Sequence, residues 1–258
     1  MKKGVMEAGR HAMLRQRAGA MELYGRQQHL YYLNQELADR FKALVVGTLS
    51  CARNDAAALA LAAHAYSLAD HLISYFESEN PLPHAIACRP GCNFCCYNQV
   101  EVTPPEALLI GHYVAQNFSP EERDGLMNRV IRALTFKSGK TKQKIARLRH
   151  ELPCPLLQDG RCSVYEVRPL VCRAMHAFEA GACEQELRGG KLGPGEFYAH
   201  RYEFAWSISS GLQNGGREMG CQTGVMDLDG ALQDFFAADR PVEQWVRGGQ
   251  VFRTFPAT

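Results

Sequence analysis

Eight cysteines lie between positions 88 and 183 of this 258-residue chain: Cys88, Cys92, Cys95, Cys96, Cys154, Cys162, Cys172 and Cys183. The first four sit in the run Cys88-Arg89-Pro90-Gly91-Cys92-Asn93-Phe94-Cys95-Cys96, so thiols recur at steps of four, three and one. Thiolates are soft, strongly donating and charged, and several converging on one point repel unless a cation sits among them. Zinc takes four ligands in a tetrahedron, commonly from cysteine pairs at short spacing, and an iron–sulfur cube also takes four cysteines. The eight are therefore candidate metal ligands, for zinc or for iron, including iron as a [4Fe–4S] cluster. Pro90 and Gly91 suit a loop that turns several side chains to one concave side, because glycine allows the backbone angles such a turn needs. Cys95 and Cys96 are adjacent, and neighbouring side chains diverge by about 100° on a helix and more on a strand. They do not serve one ion together; one is left for a second metal, a bridge or the core. Arg89, Arg161 and Arg173 each flank a cysteine, and a nearby positive charge favours the thiolate.

Composition bounds the rest. Ten cysteines are about 4% of the chain, below the ~8–10% of a small disulfide scaffold, and a chain this long does not need such staples. The other two, Cys51 and Cys221, lie far away in sequence and read as inert packed thiols. Lys and Arg total 29 against 27 Asp and Glu, so global charge points to no partner. The N-terminal residues carry charges with no apolar run behind them, unlike a secretory signal, and His64 interrupts the longest apolar stretch, Ala56–Ala63, well short of the ~20 residues of a bilayer span. The expectation is a cytoplasmic protein with reduced thiols and no membrane partner.

The elements that must hold the cysteines read as mainly α, with helical N- and C-terminal parts around an irregular cysteine-rich centre that carries a short β-hairpin. Three regions are expected: 1–86, helical; 87–185, the cysteine domain; and 186–258, helical. Leu30, Leu33, Leu37, Phe41 and Leu44 step along one helical face, and Leu59, Ala63, Tyr66, Ala69, Leu72 and Ile73 along another that Asn54 or Asp55 caps and Asn80-Pro81 ends. Thr103-Pro104-Pro105-Glu106 and Ser119-Pro120-Glu121-Glu122 are capping-box helix starts. Asp159-Gly160 marks a tight turn between two short extended runs, with Cys154 and Cys162 beside it. Helix resumes after Arg168-Pro169, the glycine-rich stretch 189–195 forms a loop, and Phe197, Arg201, Phe204 and Ile208, then Leu232, Phe235 and Phe236, step as helices.

Between Gly125 and His150 stand Arg129, Arg132, Lys137, Lys140, Lys142, Lys144, Arg147 and Arg149, with no acidic residue among them. Such a run is ordinarily a solvated helical face; its sharper reading is a site for an anionic or protein partner, and the lack of interleaved aromatics argues against nucleic acid. His176, the one histidine within the second cysteine group, reads as a hydrogen-bonded or surface imidazole, and His64 and His71 are too far apart to chelate one ion.

The cysteine run ending in Cys95-Cys96, the Thr103 helix start, and then Cys154-Pro155-Leu156-Leu157, Asp159-Gly160-Arg161-Cys162-Ser163-Val164-Tyr165-Glu166, Arg168-Pro169 and Cys172-Arg173 resemble the YkgJ-like (CxxCxxCC) cysteine-cluster family. The resemblance covers roughly residues 85–185 and implies a zinc- or iron-chelating domain, with Cys92, Cys95, Cys96, Cys154, Cys162 and Cys172 matching the family's cysteines and Cys88 offset by one residue. A similar module occurs in flagellin lysine N-methylases. Cys88, Cys92, Phe94 and Cys95 also resemble the cysteine motif of radical S-adenosylmethionine enzymes, but those are built on repeated βα units and helical text surrounds the motif here. Three readings stand: a cysteine-ligated metal-binding protein, an iron–sulfur enzyme of methyl transfer or S-adenosylmethionine chemistry, and a zinc-stabilised interaction module that presents residues 129–149.

Overall fold

The structure is a computed structural model that describes residues 33–89, 91–189 and 197–253. Of the loop expected at 189–195, Gly189 ends a helix and 190–195 lie outside the described residues, as do Leu30 and everything before Leu33.

Ten α-helices are described. Helix α1, Gln35–Cys51, starts where the Asn34 side chain accepts from Leu37 N–H at 3.0 Å. Helix α2, Asp55–Glu79, starts at Asn54, which accepts from Ala57 N–H at 2.9 Å. In both, one of the first unpaired N–H groups of the helix finds an oxygen. The buried stripe of α1 is Ala38, Phe41, Val45 and Leu49. Leu33 precedes the helix and Leu44 falls off the stripe, so both are exposed, at 46% and 42%. On α2 the buried face is Ala58, Leu61, Ala62, Ala65, Tyr66, Ala69 and Ile73, and Ala63 turns to solvent. By length and composition alone α2 could cross a membrane. Its apolar face is spent on the core, and His64, Ser67, Asp70 and His71 occupy its exposed side.

Both capping boxes form. Helix α3, Pro104–Asn117, starts with Glu106 accepting from Thr103 N–H, and α4, Pro120–Lys137, with Glu122 accepting from Ser119 N–H. Strand β1, Glu101–Val102, pairs antiparallel with β4, Met226–Asp227, and ties the start of α3 to the start of α9, Leu228–Ala237. Between them come α5, Lys142–Arg147; the hairpin of β2, Leu157–Gln158, and β3, Arg161–Cys162; α6, Leu170–Ala174; α7, Ala180–Gly189; and α8, Ala199–Glu218. Asp159 and Gly160, both at positive φ (50° and 73°), make the hairpin turn, whose twist matches that of the strands. Helix α10, Pro241–Val246, closes the described chain.

One hydrophobic cluster runs from Phe41 and Leu61 through Leu108, Leu156 and Leu170 to Ile208, Leu232 and Trp245, so all three stretches of sequence contribute to it. Among the described elements, helices α1 and α8 make the most extensive helix–helix contact. A Cβ at Gly211 would stand 2.5 Å from the Ala38 carbonyl oxygen, and one at Gly215 2.5 Å from the Val45 Cβ. The helices meet backbone to backbone at these two glycines, one helical turn apart.

Gly215→Ala should therefore destabilise the chain by about 1–3 kcal/mol through overpacking. At about 2–4 °C per kcal/mol for this size, thermal unfolding monitored by circular dichroism detects it. Gly47→Ala, in α1 with nothing within 4 Å of the added Cβ, should stabilise by about 0.5–1 kcal/mol.

Candidate metal centre

All ten cysteines are free thiols. Cys88 and Cys92 lie on the loop that follows α2, and Cys95 and Cys96 on a 3₁₀ turn, Phe94–Tyr97, whose tight backbone comes from Cys96 N–H donating to Asn93 O at 2.9 Å. Cys154 precedes the β-hairpin, Cys162 ends β3, Cys172 sits in α6 and Cys183 in α7. Two backbone contacts bring these stretches together. Cys154 N–H donates to Cys96 O at 2.7 Å, and Ala87 N–H donates to Ala177 O at 2.9 Å. Asn93 Nδ2 adds a longer bond to Gly160 O at 3.4 Å, and α7 packs on the 3₁₀ turn.

The thiols feel one another's charge. Cys95 shares a hydrogen bond with Cys96, which with burial pushes the Cys95 thiol far up, although the residue keeps an exposed flank. Burial pushes Cys154 up to about 12, with Asp229 and Cys162 adding to it. Burial raises Cys172 well above its ordinary value, and Cys154, Cys95 and Cys162 add to that. Burial likewise raises Cys162, assisted by Cys95; Cys88, assisted by Cys92 and Cys95; and Cys183, assisted by Cys88 and Cys92. The arginines flanking cysteines in sequence do not reverse this, because burial and mutual repulsion dominate. Arg89 and Arg161 are exposed, and Arg173 is turned to other work. It binds Asp70 of α2 and the carbonyls of Glu166 and Arg168 and lies over the Tyr66 ring. The guanidinium groups that do favour thiolates are Arg168, toward Cys95 and Cys162, and Arg201 of α8, toward Cys88. Arg201 stands 105 or more positions from every cysteine of the first run, and the sequence marks it only as a step along a helix; Arg168 stands out there only as part of Arg168-Pro169.

Among the described residues, no three His, Cys, Asp or Glu side chains stand close enough to grip one ion without movement. The donor set nevertheless fits a thiophilic cation. It consists of soft sulfurs that oppose one another's ionisation, which is the condition a bound metal relieves. Three buried side-chain donors lack partners among the described residues, the Tyr66 hydroxyl, Arg149 Nε and Arg168 Nε, and two of them feel these thiols: Tyr66 that of Cys172, and Arg168 those of Cys95 and Cys162. Bonds from such groups to ligating sulfurs are the usual outer support of a metal centre. His176 stays outside the donor set. Its Nε2 accepts from Tyr198 N–H at 2.6 Å, which leaves Nδ1 to donate to Ala174 O at 2.8 Å, so both ring nitrogens are engaged. Cys51 is exposed at the end of α1, contrary to the packed role expected for it, because the last turn of α1 carries it past the covered stripe; Cys221 is buried as expected.

Residues 87–188 match the CxxCxxCC domain. Its model is described as "Putative zinc- or iron-chelating domain". No curated protein and no solved structure matches the chain. The CxxCxxCC match starts one residue before Cys88 and ends inside α7, so all eight cysteines lie within it. It supports a zinc- or iron-chelating role for this stretch.

Much of the basic run, which lies within the matched stretch, is absorbed by partners within the fold. Arg129 donates to Pro155 O, Lys137 bridges Asp227 and Asp229 at 2.6 Å each, and Lys140 donates to Phe136 O. Lys142 pairs with Glu101, and Arg149 is buried between Asn98 and Glu186. Arg132, Lys144 and Arg147 remain exposed. A cleft of about 410 Å³ is lined by Glu106, Leu170, Val171, Trp206 and polar side chains of α8, and it opens beside the helix that carries Cys172.

Tyr66→Phe removes a buried hydroxyl that has no partner, so it should stabilise the metal-free protein by about 1 kcal/mol in urea unfolding. A loss would show that the hydroxyl is bonded. Burial, with Arg201, holds the His176 imidazole below its ordinary value against the opposing Ala174 carbonyl. Stability from this group is full above about pH 6.5 and falls as pH drops below it, by at most roughly 1.4 kcal/mol per pH unit. His176→Gln should flatten that part of the pH–stability curve.

Proposed function

We propose that this chain is a cysteine-ligated metal-binding protein that holds iron or zinc through thiolates drawn from Cys88, Cys92, Cys95, Cys96, Cys154, Cys162, Cys172 and Cys183. The observation that carries the reading is the gathering of these thiols, reduced and in reach of one another's charge, by elements as far apart in sequence as the 3₁₀ turn and α7. A structural role alone would bury cysteines singly among apolar neighbours, as happens at Cys221.

The donor set is all sulfur, which suits a tetrahedral zinc ion and an iron–sulfur cluster alike. A cytoplasmic setting, where glutathione and thioredoxin keep thiols reduced, fits such a centre. The interaction-module reading draws little support from the basic segment, since Lys137 and Arg149 are consumed by partners within the fold.

Anaerobically purified full-length protein should carry stoichiometric metal after dialysis. Visible absorption with acid-labile sulfide identifies an iron–sulfur cluster, and a colourless protein with bound zinc identifies a zinc site. Cys172→Ser and Cys162→Ser should each lower metal content severalfold, and Cys51→Ser should leave it unchanged. Protein without metal under these conditions, or metal unaffected by both cluster variants, overturns the reading.

A further inference from the structure

The cleft of about 410 Å³ beside α6 is lined by none of the eight cysteines, and its size falls in the range of small-molecule sites. One wall is a single face of α8. It runs from Trp206 through Ser209, Ser210, Gln213 and Asn214 to Arg217, about 16 Å along the helix axis. Leu170 of α6 lines the cleft, and so do Leu33 and Val225, two large apolar side chains left exposed, at 46% and 49%. Apolar groups in water around a concave site are what the body of a ligand covers.

The polar groups of the lining select the sign of that ligand's charge. Both of its carboxylates are already answered: Glu106 accepts from Thr103 N–H and Oγ1 and from Leu170 N–H, and Glu101 pairs with Lys142 at 3.0 Å. The Arg217 guanidinium meets no carboxylate among the described residues. It donates to Asn214 Oδ1 at 2.8 Å, and Asn214 Nδ2 donates on to Ser210 Oγ at 3.3 Å. The chain of bonds thus ends on a hydroxyl whose hydrogen is left to donate. The Ser209 hydroxyl and the Gln213 amide, both half-buried, have no partner among the described residues. The α8 wall therefore offers one positive charge and several donors beside apolar walls. A single guanidinium matches a single negative charge, and a carboxylate fits its fork with two parallel bonds, whereas a phosphate dianion would leave a charge unanswered.

We infer that this cleft binds a small organic acid, with its apolar body against Leu33, Leu170, Trp206 and Val225 and its carboxylate at Arg217. Ser209, Ser210 and Gln213 supply donors to acceptors along the body. None of these groups is a candidate metal ligand, so the inference stands apart from the metal-binding reading.

The test is calorimetric titration of the full-length protein, as purified anaerobically, with 1-naphthoate, with 1-naphthylmethylamine, which keeps the body and reverses the charge, and with inorganic phosphate, which has charge and no body. Naphthoate should bind one to one with a Kd below about 1 mM, and the amine and phosphate at least about tenfold more weakly. Arg217→Gln, at an exposed position, should weaken naphthoate binding at least about fivefold at unchanged metal content. Ser209→Phe, which fills the cleft from α8, should abolish it. If Ser209→Phe loses its helical circular dichroism, Arg217→Gln decides. No binding of naphthoate at about 1 mM, equal binding of the amine, or undiminished binding to Arg217→Gln overturns the inference and leaves the metal-binding reading standing.

Discussion

The Glu106 carboxylate holds the helical scaffold to the cysteine region. One of its oxygens accepts from Thr103 N–H and Oγ1 and so starts α3; the other accepts from Leu170 N–H at 2.9 Å and so starts α6. Its burial raises its pKa, and the three donors together with Arg173 pull the other way. A short helix such as α6 has few intrahelical bonds of its own, and its first N–H groups need an outside acceptor. The acceptor here comes from 64 positions earlier, and it sets where Cys172 stands relative to α2 and α3. Arg173 completes the arrangement by fastening the turn that carries Arg168 to Asp70 of α2.

The features legible in the sequence were those whose physics is local. Asn54, Thr103 and Ser119 cap helices because a side-chain oxygen reaches an N–H three residues on, and Asp159-Gly160 turns because those two residues tolerate positive φ. The cysteine types and spacing pointed in the same way to the stretch that matches a zinc- or iron-chelating domain. Leu33 and Leu44 step with Phe41 in the sequence but are exposed, because the face that α1 buries is set by α8, whose Gly211 and Gly215 admit Ala38 and Val45 at backbone distance. Arg201 was invisible because its tie to the Cys88 side depends on Glu77, which anchors its guanidinium through bonds of 2.6 and 2.8 Å, and on how α8 crosses α2. The capping role of Glu106 was readable; its reach to Leu170 was not, since nothing local distinguishes a carboxylate with one set of partners from a carboxylate with two.

Burial and crowding act on the thiols in one direction, toward the protonated form, and this shapes how a metal binds. Each ligand must release its proton as it coordinates, so affinity goes on rising with pH over a wider range than for exposed cysteines. A centre built this way discriminates by charge density and softness: a weakly bound hard cation cannot displace protons from sulfur, whereas zinc or iron can.

The pairing of α1 with α8 also fixes an order of events. The Asn34 backbone N–H bonds the Ser207 hydroxyl across 173 positions, and the two helices close on each other along Gly211 and Gly215. All eight thiols are translated between these partners. At about 5–20 residues per second, the ribosome needs roughly 2–7 s after Cys183 to finish α8. For those seconds the nascent chain carries the eight thiols without the helix that α1 must pair with, so any metal they take up is met either before α8 docks, on a partly built scaffold, or after it.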